Sequence, residues 1–307
     1  MFEVLLAAAT AAAVVPMTAP GPQGPLAGTL LNAGPHTPVV LIIPGSGPTD
    51  RDGNNPMGVA AAPYRLLAQA LAAKAVSTVR IDKRGIGGSK GAVTDANKVT
   101  IADYAADTHN WVSAVREATR QRCVWLLGHS EGSLIALAAA QQPDGICGVI
   151  SVSGAGRKLS DVIRDQLRSN PANAPVLDTA MAALDSLERG QHVDVATMHP
   201  ALQRLFAPQV QDFLIDMFRH DPAKLAATLK LPLLIVQGEH DVQISTADAK
   251  MLAAAQPKAK LVLIPPMNHV LKDVASDDRA ANLATYADPS LPVDATLVDN
   301  IVNFVKR

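Results

Sequence analysis

The chain has 307 residues, enough for one large α/β domain or two small ones with a sizeable core. Hydrophobic residues make up 48% and charged residues 18%, which is typical of a globular protein rather than a disordered one. The formal net charge of -1 creates no global field for nucleic acid or anionic lipid, and the sequence has no dense basic run, P-loop or zinc-type spacing. We therefore expect no nucleic-acid partner, and no run is apolar and long enough for a stable membrane insertion.

The N-terminal segment has some features of a signal peptide. An apolar stretch from Val4 to Val15 has a suitable length, and its alanines resemble a cleavage site. No Lys or Arg precedes this stretch; Glu3 stands directly before it instead. This pattern favours a cytoplasmic protein, with an exported or periplasmic protein as the alternative.

From residue 38 onward, apolar strands alternate with helices. The predicted strands cover residues 38–43, 76–81, 123–127, 146–152, 233–236 and 261–264, and the predicted helices cover residues 64–74, 101–118, 131–142 and 294–305. This alternation predicts an α/β fold with a mostly parallel sheet flanked by helices on both faces. Ligands of such sheets bind beyond the carboxyl ends of the strands, so the glycine-rich turns that follow the strands gather at the candidate site.

Two cysteines, Cys123 and Cys147, each stand at the start of a predicted strand. We expect two buried free thiols that act as small hydrophobic side chains. The alternative is a disulfide between neighbouring strands, which would suit an exported protein.

The stretch from Gly156 to Leu229 interrupts the alternation, because it contains helical patterns and no convincing strand. Its length predicts a helical insertion that lies over the strand ends as a lid, although crossover helices without substrate contact are the alternative. We therefore predict a core domain of residues 1–155 and 230–307 and a lid of residues 156–229.

A serine between two glycines stands where a strand gives way to a helix, in the run W-L-L-G-H-S-E-G-S-L of residues 125–134. A strained turn at such a junction holds the serine hydroxyl out for chemistry, and Gly128 and Gly132 relieve steric crowding around it. This pattern makes Ser130 the candidate nucleophile.

A serine nucleophile needs a base, which itself needs a third group to orient it. Asp241 and His269 each follow a predicted strand, and the chain order Ser130, Asp241, His269 is the order expected on this type of sheet. Glu239, two residues before Asp241, is the competing carboxylate.

At these residues the sequence resembles the α/β-hydrolase superfamily over nearly its whole length. The matching pieces are P-G-S-G-P after the third strand, D-K-R-G-I-G-G-S after the fourth, G-H-S-E-G after the fifth, and G-E-H-D and N-H-V-L-K near the end. The run G-S-G-P-T-D-R-D-G-N of residues 45–54 is similar to that of a bacterial carboxylesterase subgroup. Pro44 stands where many members have His. The resemblance implies an α/β-hydrolase fold with the helical lid inserted between the sixth and seventh strands.

The resemblance also implies a role for each site residue. Ser130 would attack an acyl carbon, His269 would take and return the proton, and Asp241 would orient His269. The backbone N–H groups of Ser46 and Glu131 would form the oxyanion hole, with Gly47 as a substitute for Ser46.

Four side chains are candidates for the walls of the substrate pocket. Arg51 could bind a substrate carboxylate, or it could be an exposed arginine in an Asp-rich turn. Met181, Met217 and Phe218 fall in the predicted lid and could line an acyl pocket, although helix packing would also explain them. Aromatic residues make up only 3% of the chain, which favours aliphatic pocket walls and aliphatic acyl chains.

The sequence thus predicts a serine carboxylesterase (EC 3.1.1 class) that cleaves small to medium acyl esters through an acyl-enzyme and requires no metal or organic cofactor. Its expected partner is a small-molecule acyl ester. Amide or peptide hydrolysis, as in serine aminopeptidases, thioester hydrolysis and acyl transfer are alternatives with the same triad. A binding module that kept the fold and lost the chemistry is a further alternative. The sequence makes no prediction of the oligomeric state.

Overall fold

The computed structural model describes residues 12–275 and 278–307, and an eight-stranded sheet lies at its centre. The strands are β1 (Ala13–Ala19), β2 (Leu26–Asn32), β3 (Val39–Ile43), β4 (Ser77–Ile81), β5 (Val124–His129), β6 (Ile146–Val152), β7 (Leu233–Gly238) and β8 (Lys260–Ile264). They lie in the order β1-β2-β4-β3-β5-β6-β7-β8, and β2 pairs antiparallel with both β1 and β4 while the other pairs are parallel. The prediction of a mostly parallel sheet is confirmed.

Helices follow the strands along the described chain. They are α1 (Pro63–Ala73), α2 (Ile101–Thr119), α3 (Glu131–Ala139), α4 (Leu159–Ser169), α5 (Leu177–Glu188), α6 (Pro200–Leu205), α7 (Pro208–Phe218), α8 (Pro222–Thr228), α9 (Thr246–Ala255), α10 (Arg279–Ala284) and α11 (Ala295–Val305). Short 3₁₀ helices cover Gly87–Ala92, Ala96–Lys98, Pro171–Val176 and Thr285–Ala287. Among the described residues, no helix has the length and apolar character needed to cross a membrane.

The two faces of the sheet bury separate hydrophobic layers, because successive side chains of a strand point to opposite faces. In β3, Leu41 and Ile43 belong to the layer that contains side chains of α2 and α3. Val40 and Ile42 belong to the layer that contains side chains of α1 and α11. Helices therefore flank the sheet on both faces, and the carboxyl ends of the parallel strands remain at one edge.

Two strands precede the first strand that the apolar pattern predicts. β1 lies at the edge of the sheet, where Val14 is 68% exposed and Pro16 is tolerated. Its side chains are mostly exposed, so β1 lacks the buried apolar run that marks a central strand. Ala13–Val15, the end of the signal-peptide-like stretch, lie in β1, whereas residues 1–11 lie outside the described residues.

Cys123 and Cys147 form a disulfide, which corrects the expectation of two free thiols. Their Cα atoms are 5.1 Å apart, within the range that a disulfide requires. The register between β5 and β6 shifts at this point: Val124 pairs with Ile146 and Trp125 with Gly148, so Cys147 is an extra residue on β6. The sequence pattern carries no signal for this bulge, which brings the two thiols together.

The helices α4 to α8 all lie in the chain between β6 and β7. They are attached to the sheet layers by packing and by hydrogen bonds. Asp216 of α7 accepts a hydrogen bond of 2.8 Å from the backbone N–H of Ile101, the first residue of α2. At the other end, Gln141 donates to the Leu225 carbonyl and accepts from Thr228, both in α8.

Candidate active site

Ser130 stands on a sharp turn between β5 and α3. Its backbone has φ 54° and ψ -121°, a strained conformation for a residue with a side chain. The turn is possible because the flanking glycines leave room for close backbone contacts. A Cβ on Gly132 would lie 2.2 Å from the Ile43 carbonyl oxygen, and one on Gly128 would lie 2.1 Å from the Gly132 carbonyl oxygen. The local geometry is that of a nucleophile elbow.

Asp241 and His269 form a hydrogen-bonded pair in the loops after β7 and β8. The Nδ1 atom of His269 lies 2.8 Å from Oδ2 of Asp241, whose carboxylate is fully buried. The other oxygen, Oδ1, accepts the backbone N–H groups of Gln243 at 2.8 Å and Ile244 at 2.9 Å. Burial alone raises the pKa of Asp241, but His269 and these hydrogen bonds lower it below its ordinary value. Asp241 is therefore an ionised partner for His269, whereas the competing Glu239 is exposed.

A cavity of about 210 Å³ brings the predicted residues together. Ser130, His269, Ser46 and Gly47 all line it, and it opens at the carboxyl ends of the strands. Glu131, whose backbone N–H is the other expected oxyanion donor, follows Ser130 directly at the start of α3. Three independently predicted loops thus meet at one cavity.

Glycine, polar and aliphatic residues, together with His129 and His269, line the cavity. None of the described residues that line it is an Asp, Glu, Lys or Arg. Its polar walls include Asn55, Gln243 and Tyr286, and the hydroxyl of Tyr286 accepts a hydrogen bond of 3.1 Å from Gln243 Nε2.

A buried chain of hydrogen bonds connects the loop after β3 with the loop of His269. The backbone N–H of Gly45 donates to the Tyr64 hydroxyl at 3.0 Å, and this hydroxyl lies 2.8 Å from Nδ1 of His129. Nε2 of His129 lies 2.8 Å from the carbonyl oxygen of His269. Because a carbonyl only accepts, His129 carries its proton on Nε2, and Tyr64 donates to Nδ1.

His129 is a neutral side chain in this chain of hydrogen bonds. Burial, with the nearby His269 as a second cause, lowers the pKa of His129 from 6.5 to about 3. Burial likewise raises the pKa of the Tyr64 hydroxyl above its ordinary value. Both groups therefore keep fixed protons at neutral pH and hold their neighbours in one arrangement.

The four pocket candidates from the sequence do not line this cavity. Arg51 forms an ion pair of 2.6 Å with Asp82, so its charge is already paired. Met217 and Phe218 are buried in the hydrophobic core, and Met181 packs against the same layer. Helix packing, the alternative explanation, accounts for these three side chains.

The cavity walls instead come from segments without a functional signal in the sequence. The long loop between β3 and α1 contributes several residues, among them Thr49, Met57 and Val59, and Tyr286 comes from a short 3₁₀ helix near the C-terminus. Their place in the cavity depends on how these loops fold against each other. The one sequence feature that could have indicated these walls is the polar character of the β3–α1 loop, which adjoins the expected oxyanion loop.

The family model described as Hydrolase_4, serine aminopeptidase S33, matches residues 57–273. The chain belongs to this family. The matched residues include Ser130 and the Asp241–His269 pair, and the family's α/β-hydrolase fold is the fold of this chain.

Similar proteins include esterases. Esterase EstD of Thermotoga maritima is 24% identical over 243 residues, which cover 76% of this chain and 54% of that protein. The chain therefore spans about half the length of this curated relative.

Solved structures show the same fold at low sequence identity. The α/β hydrolase GrgF from a Penicillium species has a TM-score of 0.63 and 20% identity, covering 96% of this chain and 98% of that one. The Pyrococcus furiosus esterase Pf2001 has a TM-score of 0.59 and 13% identity, covering 96% and 91%. Est1E of Butyrivibrio proteoclasticus, solved with bound ferulic acid, has a TM-score of 0.59 and 17% identity, covering 95% and 100%.

Proposed function

We propose that the protein is a serine hydrolase that cleaves uncharged carboxylic esters of small to medium acyl groups through an acyl-enzyme. The observation that carries this proposal is the placement of the elbow serine, Ser130, and the Asp241–His269 pair around one cavity. A nucleophile, a base and a group that orients the base are the three parts that acyl transfer through serine requires.

In the proposed reaction, Ser130 Oγ attacks the ester carbonyl carbon and transfers its proton to His269. Nδ1 of His269 is bonded to Asp241, so Nε2 is the nitrogen that takes the proton. The buried carboxylate of Asp241 stabilises the resulting imidazolium. His269 then protonates the leaving alcohol, and a water molecule that gives its proton to His269 hydrolyses the acyl-enzyme.

The oxyanion of each tetrahedral intermediate needs donors that are in place before the reaction. We assign the backbone N–H groups of Ser46 and Glu131, with Gly47 as a substitute for Ser46. One such donor typically contributes about 3 kcal/mol to transition-state stabilisation. Pro44, where many superfamily members have His, precedes Gly45 and leaves these backbone groups available.

The neutral lining supports esters over aminopeptidase substrates. An aminopeptidase has to bind a positively charged amino terminus close to the scissile bond, which calls for a carboxylate in the pocket. The described residues that line the cavity include no Asp or Glu. Amides without a charged terminus, thioesters and acyl acceptors other than water use the same machinery, so they are the second candidates.

We further propose that residues 156–229 form a lid over a core domain of residues 1–155 and 230–307. Gln166 of α4 donates a hydrogen bond of 2.8 Å to the carbonyl oxygen of Gln243, which lines the cavity. A second cavity of about 540 Å³ lies between α4 and α10 and shares Gln243 and Tyr286 with the first. The helical segment therefore bounds space next to the site through residues such as Gln166, Ser169 and Asn170 rather than through its methionines.

The disulfide bears on where the protein acts. Disulfides persist in oxidising compartments and are rare in the cytosol. The Cys123–Cys147 bond therefore supports the exported alternative over the cytoplasmic protein that the N-terminal pattern favours.

The test is hydrolysis of p-nitrophenyl esters of rising acyl length by the wild-type protein and by Ser130→Ala. We expect turnover of short to medium chains that is lost in the variant, and covalent labelling of Ser130 by an organophosphonate. Ser290→Ala, which removes an exposed serine outside the cavity, is the matched control and should keep the wild-type rate. Equal hydrolysis by Ser130→Ala would disprove the proposal, and turnover of amides or thioesters alone would shift it to the second candidates.

A further inference from the structure

One of the two proposed oxyanion donors, the N–H of Ser46, belongs to a peptide group whose carbonyl accepts a buried hydrogen bond. The N–H of Ser46 and the carbonyl of Gly45 are in the same planar peptide group, where they point in opposite directions. The ammonium of Lys83, just after β4, donates a hydrogen bond of 2.8 Å to the Gly45 carbonyl oxygen. Fixing this carbonyl away from the cavity fixes the N–H of Ser46 toward it.

The same ammonium also holds the residue that carries the second donor. Lys83 Nζ lies 2.6 Å from Oε1 of Glu131, the residue whose backbone N–H follows the nucleophile. The ring of Tyr104 lies on another side, with its centroid 5.0 Å from Nζ. One ammonium therefore contacts the carbonyl, the carboxylate and the aromatic face.

This ion pair is deeply buried, because the side chains of Lys83 and Glu131 are only 4% and 2% exposed. Burying two charges has a high desolvation cost, and such pairs contribute little net stability compared with apolar side chains of the same volume. Burial alone lowers the pKa of Lys83, but Glu131 and Tyr104 raise it above its ordinary value, so the ammonium stays charged. A fixed charge at this position is explained by what it holds rather than by a gain in stability.

We propose that Lys83 is a positioning residue that holds both donors of the oxyanion hole, through the Gly45 carbonyl and the Glu131 carboxylate. This inference rests on the proposed function. Lys83 touches no reacting atom, and without it the Gly45–Ser46 peptide is free to turn its carbonyl toward the cavity. A peptide in that orientation would remove one donor and place a repelling oxygen beside the developing oxyanion.

The test uses the double variant Lys83→Met/Glu131→Gln, which leaves no unpaired buried charge. We expect kcat to fall about 100-fold with KM within about threefold, since a lost oxyanion donor acts on the transition state rather than on substrate binding. Affinity for an alkyl boronic acid, whose adduct on Ser130 places an oxygen in the oxyanion hole, should fall by a similar factor.

The matched control is Arg84→Met/Asp107→Asn, which removes the neighbouring buried pair. Arg84 and Asp107 are each 8% exposed and lie 2.6 Å apart, but they contact neither oxyanion peptide. Thermal unfolding of both double variants measures how much stability each loses, so an effect on kcat that comes from destabilisation alone would appear in both. If Lys83→Met/Glu131→Gln does not fold, Lys83→Arg keeps a charge opposite Glu131 but replaces the compact ammonium with a planar guanidinium, and it should lower kcat about fivefold.

The outcomes separate the two proposals. A folded Lys83→Met/Glu131→Gln enzyme with wild-type kcat, or with a loss that the Arg84→Met/Asp107→Asn control reproduces, overturns the role of Lys83 alone. If the wild-type protein hydrolyses no ester, amide or thioester, the proposed function fails and the role of Lys83 fails with it.

Discussion

The hydroxyl of Tyr64 lies 2.8 Å from Nδ1 of His129, and this bond joins α1 to the residue that precedes Ser130. The hydroxyl also accepts the N–H of Gly45, while His129 reaches the carbonyl of His269. Tyr64 thus connects the proposed oxyanion loop, the turn of Ser130 and the loop of His269 through buried, uncharged groups. Lys83 holds the same loop from the opposite side of Gly45.

Tyr64→Phe should lower the unfolding free energy of the protein and its kcat for ester hydrolysis. The substitution leaves the N–H of Gly45 and Nδ1 of His129 buried without a partner, which costs about 1–3 kcal/mol of unfolding free energy per group. The loop that carries the oxyanion donor also loses an anchor, so kcat should fall more than KM changes. Urea denaturation and steady-state ester hydrolysis measure the two effects, and a variant with unchanged stability would show that these bonds are not made in solution.

His129 should make the folded state sensitive to acid. Its pKa in the folded protein is about 3, below its ordinary value of 6.5, so the unfolded chain binds more protons between these values. Folding stability contributed by neutral His129 is therefore complete above pH 6.5 and is lost as the pH falls toward 3. The slope approaches about 1.4 kcal/mol per pH unit for one proton.

The measurement is the unfolding free energy of the wild-type protein and of His129→Gln at a series of pH values. Gln does not titrate, so the stability of the variant should fall less steeply than that of the wild type between about pH 6 and pH 4. The other histidines are the same in both proteins and cancel in the comparison. Parallel curves would contradict a neutral, buried His129.

Much of the fold, and the proximity of the three proposed site residues, could be predicted from the sequence because the parallel strands end at the same edge of the sheet. The carboxyl ends of parallel strands lie at one edge, so Ser130, Asp241 and His269, each just after a strand, had to approach one another. Buried central strands also carry long apolar runs, which makes them visible in the sequence. The edge strand β1 lacks such a run, so the apolar pattern does not predict it.

The pocket walls and the disulfide could not be predicted from local sequence patterns, because tertiary packing decides both. Met217 and Phe218 have the residue types of a pocket, but the packing of α7 turns them into the core. Tyr286 lines the cavity because its 3₁₀ helix meets the β3–α1 loop, where the backbone N–H of Ala60 donates to the Tyr286 carbonyl. The Cys123–Cys147 bond depends on a single extra residue in the register of β6.

Asp241→Asn should nearly abolish turnover while the protein stays folded. The amide is neutral, cannot stabilise the imidazolium of His269 and can hold the ring in the wrong tautomer, effects worth about 10⁴-fold in kcat. Glu239→Gln is the matched control, because Glu239 is the exposed carboxylate two residues earlier. We expect its kcat within about twofold of wild type, as for other surface substitutions. A larger loss in Glu239→Gln than in Asp241→Asn would reverse the assignment of the acid.

Removal of the disulfide should lower stability without changing the chemistry. Cys123 and Cys147 are 24 positions apart, and closing a loop of this length stabilises a protein by about 3 kcal/mol in the chain-entropy model. The bond lies at the beginning of β5 and β6, at the edge of the sheet away from Ser130, so kcat and KM should not change. Urea denaturation of Cys123→Ala/Cys147→Ala and ester hydrolysis measure the two effects. Reducing agent should destabilise the wild type and leave the variant unaffected; two free thiols per unfolded, unreduced chain would contradict the bond.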